Sequence, residues 1–116
     1  MAQWHLQEIR EAFENRGWRF VGELPSDDHN VSAYWQFQRS PKEPVITIAF
    51  EGLDDLETLP LEQAYGCHIV GQETIGLYFK RRSRDDKERH KIWRKSLVEF
   101  IDQVNKFVND QLKNNL

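Results

Sequence analysis

Apolar positions follow two rhythms along the chain, a helical one at each end and an alternating one between them. Leu6, Ile9, Ala12 and Phe13 recur at three- and four-residue spacing while Glu8, Glu11 and Glu14 fall elsewhere on the cylinder, which predicts a first helix over residues 3–16. Arg16 gives that helix a basic last turn, and Gly17 can adopt positive φ without a Cβ penalty, so the helix stops there. Residues 18–24 alternate in part and read as a strand, followed by turn chemistry in PSDDHN. Over residues 31–39, Ala33, Trp35 and Phe37 share one face of a second strand, and Ser32, Tyr34, Gln36 and Gln38 share the other. Pro41 and Pro44 assign residues 40–44 to a loop, because two prolines cannot both sit in a paired central strand. VITIAF, residues 45–50, is β-branched and apolar, with Ile46, Ile48 and Phe50 on one side and Val45, Thr47 and Ala49 on the other. The short connections make these three strands an antiparallel meander.

The alternation breaks after residue 50. Asp54 or Asp55 can cap a short helical turn, since Glu57 lies three residues beyond Asp54, and residues 61–65 read as another turn. Residues 67–70 and 74–81, joined through the turn-prone 71–73, form a second hairpin with Leu77 and Phe79 on the face opposite Gly76 and Tyr78. Ser83 with Asp86 three positions on resembles a capping box, and Asp85 and Asp86 suit the positive end of a helix dipole. Ile92, Trp93, Leu97, Phe100, Ile101, Val104, Phe107, Val108 and Leu112 then make one sustained stripe. It predicts a helix over residues 85–111, about 40 Å long, with a frayed tail at 113–116. The expected fold is α+β in one globular domain, 1–116. It is a two-layer sandwich with an antiparallel sheet of four to five strands, an N-terminal helix, a short helical insert and a long C-terminal helix. This order, size and acidic balance resemble those of small bacterial secretion-chaperone-like domains that dimerise to bind protein segments, a likeness of topology rather than of motif.

Charge is segregated. Residues 80–95 carry nine basic and three acidic side chains, a local charge of +6, whereas residues 1–79 carry five basic and thirteen acidic ones, or −8. With −1 over residues 96–116, the near-neutral total of −3 conceals an acidic body and a basic shoulder. Glu88 pairs at helical spacing with Lys91, so part of the run is a solvated helix flank. Lys80, Arg81, Arg82 and Arg84 have no such local partner and are candidate contacts to a partner or an anion; they can equally meet the acidic body.

Candidate chemistry is sparse. Trp18, Trp35 and Trp93 are in phase with apolar neighbours and read as core, whereas Tyr34 and Tyr78 sit opposite their strands' apolar sets and are candidate binding aromatics. Cys67 and His68 are adjacent on a strand, so they point to opposite faces and cannot readily exchange a proton. His5, His29 and His90 lie in separate elements without CxxC or HxxxH spacing, so no metal site is expected. Neither a phosphate-cradling glycine loop nor a nuclease-like carboxylate–lysine arrangement is present, and neither an enzyme nor a cofactor is expected. A single cysteine, no secretory signal and no apolar run near the roughly 18 residues of a membrane span suggest a cytoplasmic protein. The long apolar stripe predicts a homodimer or a protein partner docked on Phe100, Val104, Phe107, Val108 and Leu112. The alternative is a nucleic-acid-associated regulator using residues 80–95.

Overall fold

The computed structural model describes residues 3–26, 30–54, 57–79 and 86–114. Helix α1 (Gln3–Asn15) is followed by strands β1 (Arg19–Pro25), β2 (Val31–Gln38) and β3 (Ile46–Glu51). A two-residue hairpin, β4 (Leu53–Asp54) and β5 (Glu57–Thr58), and a 3-10 turn (Leu61–Gln63) lead to β6 (Gly66–Ile69) and β7 (Gln72–Tyr78). Helix α2 (Asp86–Asn114) is the last described element. The main sheet runs β1-β2-β3-β6-β7 with every neighbouring pair antiparallel. The fold is therefore the α+β arrangement expected from the pattern of apolar positions.

α1 ends in a double closure that the sequence foreshadows. Gly17 has φ +87°, its N–H donates to the Glu14 carbonyl at 3.1 Å, and the Trp18 N–H reaches back to the Phe13 carbonyl at 2.9 Å. These two bonds satisfy last-turn carbonyls that would otherwise be orphaned. The same reversal lays the Trp18 ring edge-on against Phe13, 5.7 Å between centroids.

Both helices lie on the sheet face built from Trp35, Phe37, Ile46, Ile48, Phe50, Cys67, Ile69 and Leu77, all buried. Phe13 stacks on Phe37 at 4.4 Å and meets Phe100 of α2 edge-on at 6.2 Å. Glu8 accepts the Trp93 indole N–H at 2.6 Å, and Arg16 bridges Asp102 at 2.7 Å, so α1 and α2 run side by side in the same direction. Buried indoles need a partner for their one donor. Trp18 donates to Asn105 at 3.1 Å, and Trp35 donates to Glu23 at 2.8 Å.

Several local expectations change. The helical turn expected at Asp54 is a hairpin, with Leu53 paired to Thr58 and Asp54 to Glu57. The Leu59 N–H donates to the Gly52 carbonyl and the Gly52 N–H to the Asn30 carbonyl, so these backbone groups extend strand pairing instead of closing a helix. The second hairpin turns at Val70–Gly71, where Gly71 takes φ +89°, and Gln72 and Glu73 belong to β7. α2 includes Lys113, expected to be frayed; Leu112 anchors that turn on the core and Lys113 suits the negative end of the helix. The candidate cap at Ser83 and Asp85 lies outside the described residues.

Both outer strands carry irregularities. In β1 the register shifts between Phe20 and Gly22, which leaves Val21 as an extra residue and brings Glu23 opposite Trp35. In β7 the pairs His68–Gly76 and Ile69–Gln72 leave Glu73, Thr74 and Ile75 without partners on β6. The loop after β2 is fastened to α2 by Arg39, which forks onto Glu43 (Nε to both carboxylate oxygens at 2.9 Å) and donates to Asn109 at 2.8 Å.

Phe13→Ala removes a fully buried ring that touches both other components of the core. It is expected to cost about 3–5 kcal/mol in urea denaturation followed by tryptophan fluorescence. The hydrogen bonds from Arg39 hold the Glu43 carboxyl below its ordinary value of 4.5. A depressed folded-state value stabilises above the ordinary range, and the contribution is lost as pH falls through the folded value. Glu43→Gln is therefore expected to be less stable than the parent near pH 7 by up to about 1 kcal/mol, with the gap closing on acidification below 4.5 in parallel denaturation series.

Candidate functional site

Both helices lie on one face of the sheet, and among the described residues neither helix packs on the other face, which carries the outward side chains of the strands. Strand register arranges them in rows across the sheet. One row is Leu24, Tyr34, Ala49, His68 and Gly76, and the next contains Glu51, Gly66 and Tyr78. The alternation that sends Trp35 and Phe37 inward sends Tyr34 and Gln36 outward, and the same parity separates Leu77 from Tyr78. Tyr78 is 65% exposed and Leu24 is 44% exposed, whereas Tyr34 is half-buried.

Between the two tyrosines the surface is uneven. Gly76 has no side chain there, Gly66 is buried beneath the Tyr78 ring, and Ala49, although it points away from the core, is buried between Tyr34 and His68 on the flanking strands. The absence of a Cβ at Gly66 matters: an added one would stand 2.8 Å from Tyr78 Cδ1 and 3.1 Å from Glu51 Oε2. Glycine thus lets the Tyr78 ring settle next to the Glu51 carboxylate. His68 Nδ1 lies 3.1 Å from Glu51 Oε1, a cross-strand pair at the centre of the face. The surface therefore combines two aromatic rings, one carboxylate–imidazole pair and polar flanks at Gln36 and Thr47, which bond each other at 3.4 Å.

Cys67 is buried on the opposite face from His68. Burial, with a lesser contribution from the Glu51 charge, pushes its thiol far above the usual range. It is thus a core group without nucleophilic character. Among the described residues no group of three or more His, Cys, Asp or Glu side chains is placed to hold a metal ion, and no helix is long and apolar enough to cross a membrane.

The predicted partner stripe on α2 needs correction. Phe100, Val104 and Val108 are fully buried in the chain's own core, because α1 lies alongside α2 and adds its apolar face to that of the sheet. Phe107 and Leu112 are half-buried and pack on the core from its margin. Phe107 also lines a hollow of about 290 Å³ with Val45 and Val70, both more than two-fifths exposed, at the end of the sheet away from Tyr78. Lys80, Arg81, Arg82 and Arg84 lie outside the described residues. Tyr34 and Tyr78 do share a face, as their parity implied. The Glu51–His68 pair and the place of Gly66 beneath Tyr78 escaped sequence reading, because they depend on the register between β3, β6 and β7.

Comparisons with protein-family models, with curated proteins and with solved structures returned no match to this chain.

If Cys67 is the buried group described, a disulfide reagent such as DTNB at pH 8 should leave it unmodified in the folded chain and titrate one thiol in urea. Rapid modification under native conditions would contradict that placement.

Proposed function

We propose that this chain is a non-enzymatic protein-binding module whose partner lies on the helix-free face of the sheet, across Tyr34 and Tyr78. The observation that carries this reading is the pair of tyrosines on one face of the sheet with the Glu51–His68 pair between them, where Gly66 lets the Tyr78 ring lie beside the Glu51 carboxylate. Tyrosine combines a large contact area with few rotatable bonds and a polar tip, which suits it to protein interfaces. Glu51 in the centre and the −8 charge of residues 1–79 favour a partner segment that brings a Lys or Arg side chain beside an apolar one. Such a cation can rest on a tyrosine face and pair with the carboxylate. A non-enzymatic role is supported by the separation of thiol and imidazole on opposite faces. The free, buried thiol is compatible with a cytoplasmic setting.

The nucleic-acid reading has one feature in its favour, the exposed Lys91, Arg94 and Lys95 on α2. It has against it the carboxylate at the centre of the aromatic face and the acidic balance of the sheet-bearing segment.

The two readings separate in one experiment. The tagged chain and its Tyr34→Ser/Tyr78→Ser variant are used as baits with and without nuclease, and a protein recovered by the parent is purified and titrated by calorimetry. A protein partner bound at least tenfold more tightly by the parent, with recovery indifferent to nuclease, is the expected result. Equal binding by the variant would remove the sheet face from consideration, and loss of recovery on nuclease treatment would favour nucleic acid.

A further inference from the structure

The helical layer has its own outward surface, distinct from the sheet face. Between α1 and α2 runs a shallow groove of about 310 Å³, floored by Leu97 and Ile101 and centred on Ala12 and Val98. Val98 is 45% exposed there although it belongs to an otherwise polar flank of α2.

The charges around this centre follow a reversing pattern. On α1, Glu8 lies four residues before Ala12 and Arg16 four residues after it; on α2, Arg94 lies four residues before Val98 and Asp102 four residues after it. Each helix therefore changes sign across its midpoint, in opposite senses. Within one chain this produces the bridges Arg16–Asp102 at 2.7 Å and, more loosely, Arg94–Glu8 at 3.9 Å. The Arg16, Asp102 and Arg94 side chains are 39%, 59% and 67% exposed, and Glu8 is 25% exposed.

We propose that this surface recognises a second copy of the chain, with α2 against α2 and α1 against α1, each pair antiparallel about a two-fold axis beside Ala12 and Val98. A two-fold interface requires a surface complementary to itself after reversal. Reversal about this axis brings a position four residues before the centre of a helix opposite the position four residues after it on the other copy. Arg94 then faces the partner's Asp102, and Glu8 faces the partner's Arg16. Each of these four charges meets its opposite, and the small Ala12 and the exposed Val98 meet their own counterparts at the centre, where Glu11 and Asn15 also line the groove and add a polar margin. Had both charges on either helix carried one sign, the same reversal would have set like against like. A small apolar centre inside a charged rim gives orientation and partner choice more than raw affinity, and its attraction weakens with salt. The occupant is another copy because the complementarity is of the surface to itself; a foreign helix would need no such reversal.

Sedimentation equilibrium at tens of micromolar protein and low ionic strength tests this, with far-UV circular dichroism checking each variant's fold. The parent chain is expected at twice its 13.9 kDa monomer mass, shifting toward the monomer as salt is raised. Val98→Glu is expected to sediment as a folded monomer and to keep any sheet-face binding. R94D and D102R are each expected to be monomeric, since each sets like charges across the axis. Mixed in equal amounts they are expected to associate, because the reversed charge of one chain then meets its complement on the other. A monomeric parent at low salt, a dimer that survives Val98→Glu, or a mixture of the two folded charge variants that stays monomeric would each overturn the proposal.

Discussion

The stack of Phe13 on Phe37, with Phe100 edge-on to the same ring, ties α1 simultaneously to the sheet and to the other helix. Few side chains could do this, since the ring must reach the second strand from a helix that ends two residues later. The closure at Gly17 makes it possible by turning the chain immediately and returning Trp18 to the other side of Phe13. The two helices are thereby held parallel on one sheet face, and the polar bonds along their seam, Trp93 to Glu8, Arg16 to Asp102 and Trp18 to Asn105, follow from that alignment. Hydrophobic packing supplies the energy; the Trp93 and Trp18 bonds spare buried donors the penalty of going unmatched, whereas the Arg16–Asp102 bridge is a surface contact.

One-sided burial also organises what the surface can do. Because α1 and α2 occupy the same face, Phe100, Val104 and Val108 of the α2 stripe are buried within the chain, while Phe107 and Leu112 stay at the margin of the core and Ile92 is exposed. Among the described residues, two opposite faces differ in chemistry. The sheet face offers aromatic rings beside a carboxylate–imidazole pair, and the helical face offers a checkerboard of four charges around a small apolar centre. They lie on opposite sides of the molecule, so occupation of one leaves the other accessible.

Much of this was legible in the order of residues, and the failures have identifiable causes. The parity of Val31–Gln38 separated Trp35 and Phe37 from Tyr34, and the structure follows that parity because side-chain direction in a strand is fixed by covalent geometry. The α2 stripe was equally clear, yet its destination was not. Whether Phe100 and Val104 face a partner or the chain's own core depends on where α1 lies, which no local pattern encodes. The segment around Asp54 misled because acidic residues at capping distance suit a helix start, while distant carbonyls at Asn30 and Gly52 offered its neighbours strand-like bonds. The approach of His68 to Glu51 likewise needed the β3–β6 register, a relation between residues seventeen positions apart.

A bare sheet face would ordinarily carry a hazard, since the strands at its margins present unpaired amides on which another sheet can grow. Here each margin interrupts its own ladder: β1 by the extra residue at Val21 and a terminal Pro25, β7 by the unpartnered stretch from Glu73 to Ile75. Kinked margins make poor templates for strand addition. The molecule can thus leave one side of its sheet open to visitors while its borders resist polymerisation, and fibre-like stacking is discouraged by backbone shape rather than by covering the face itself.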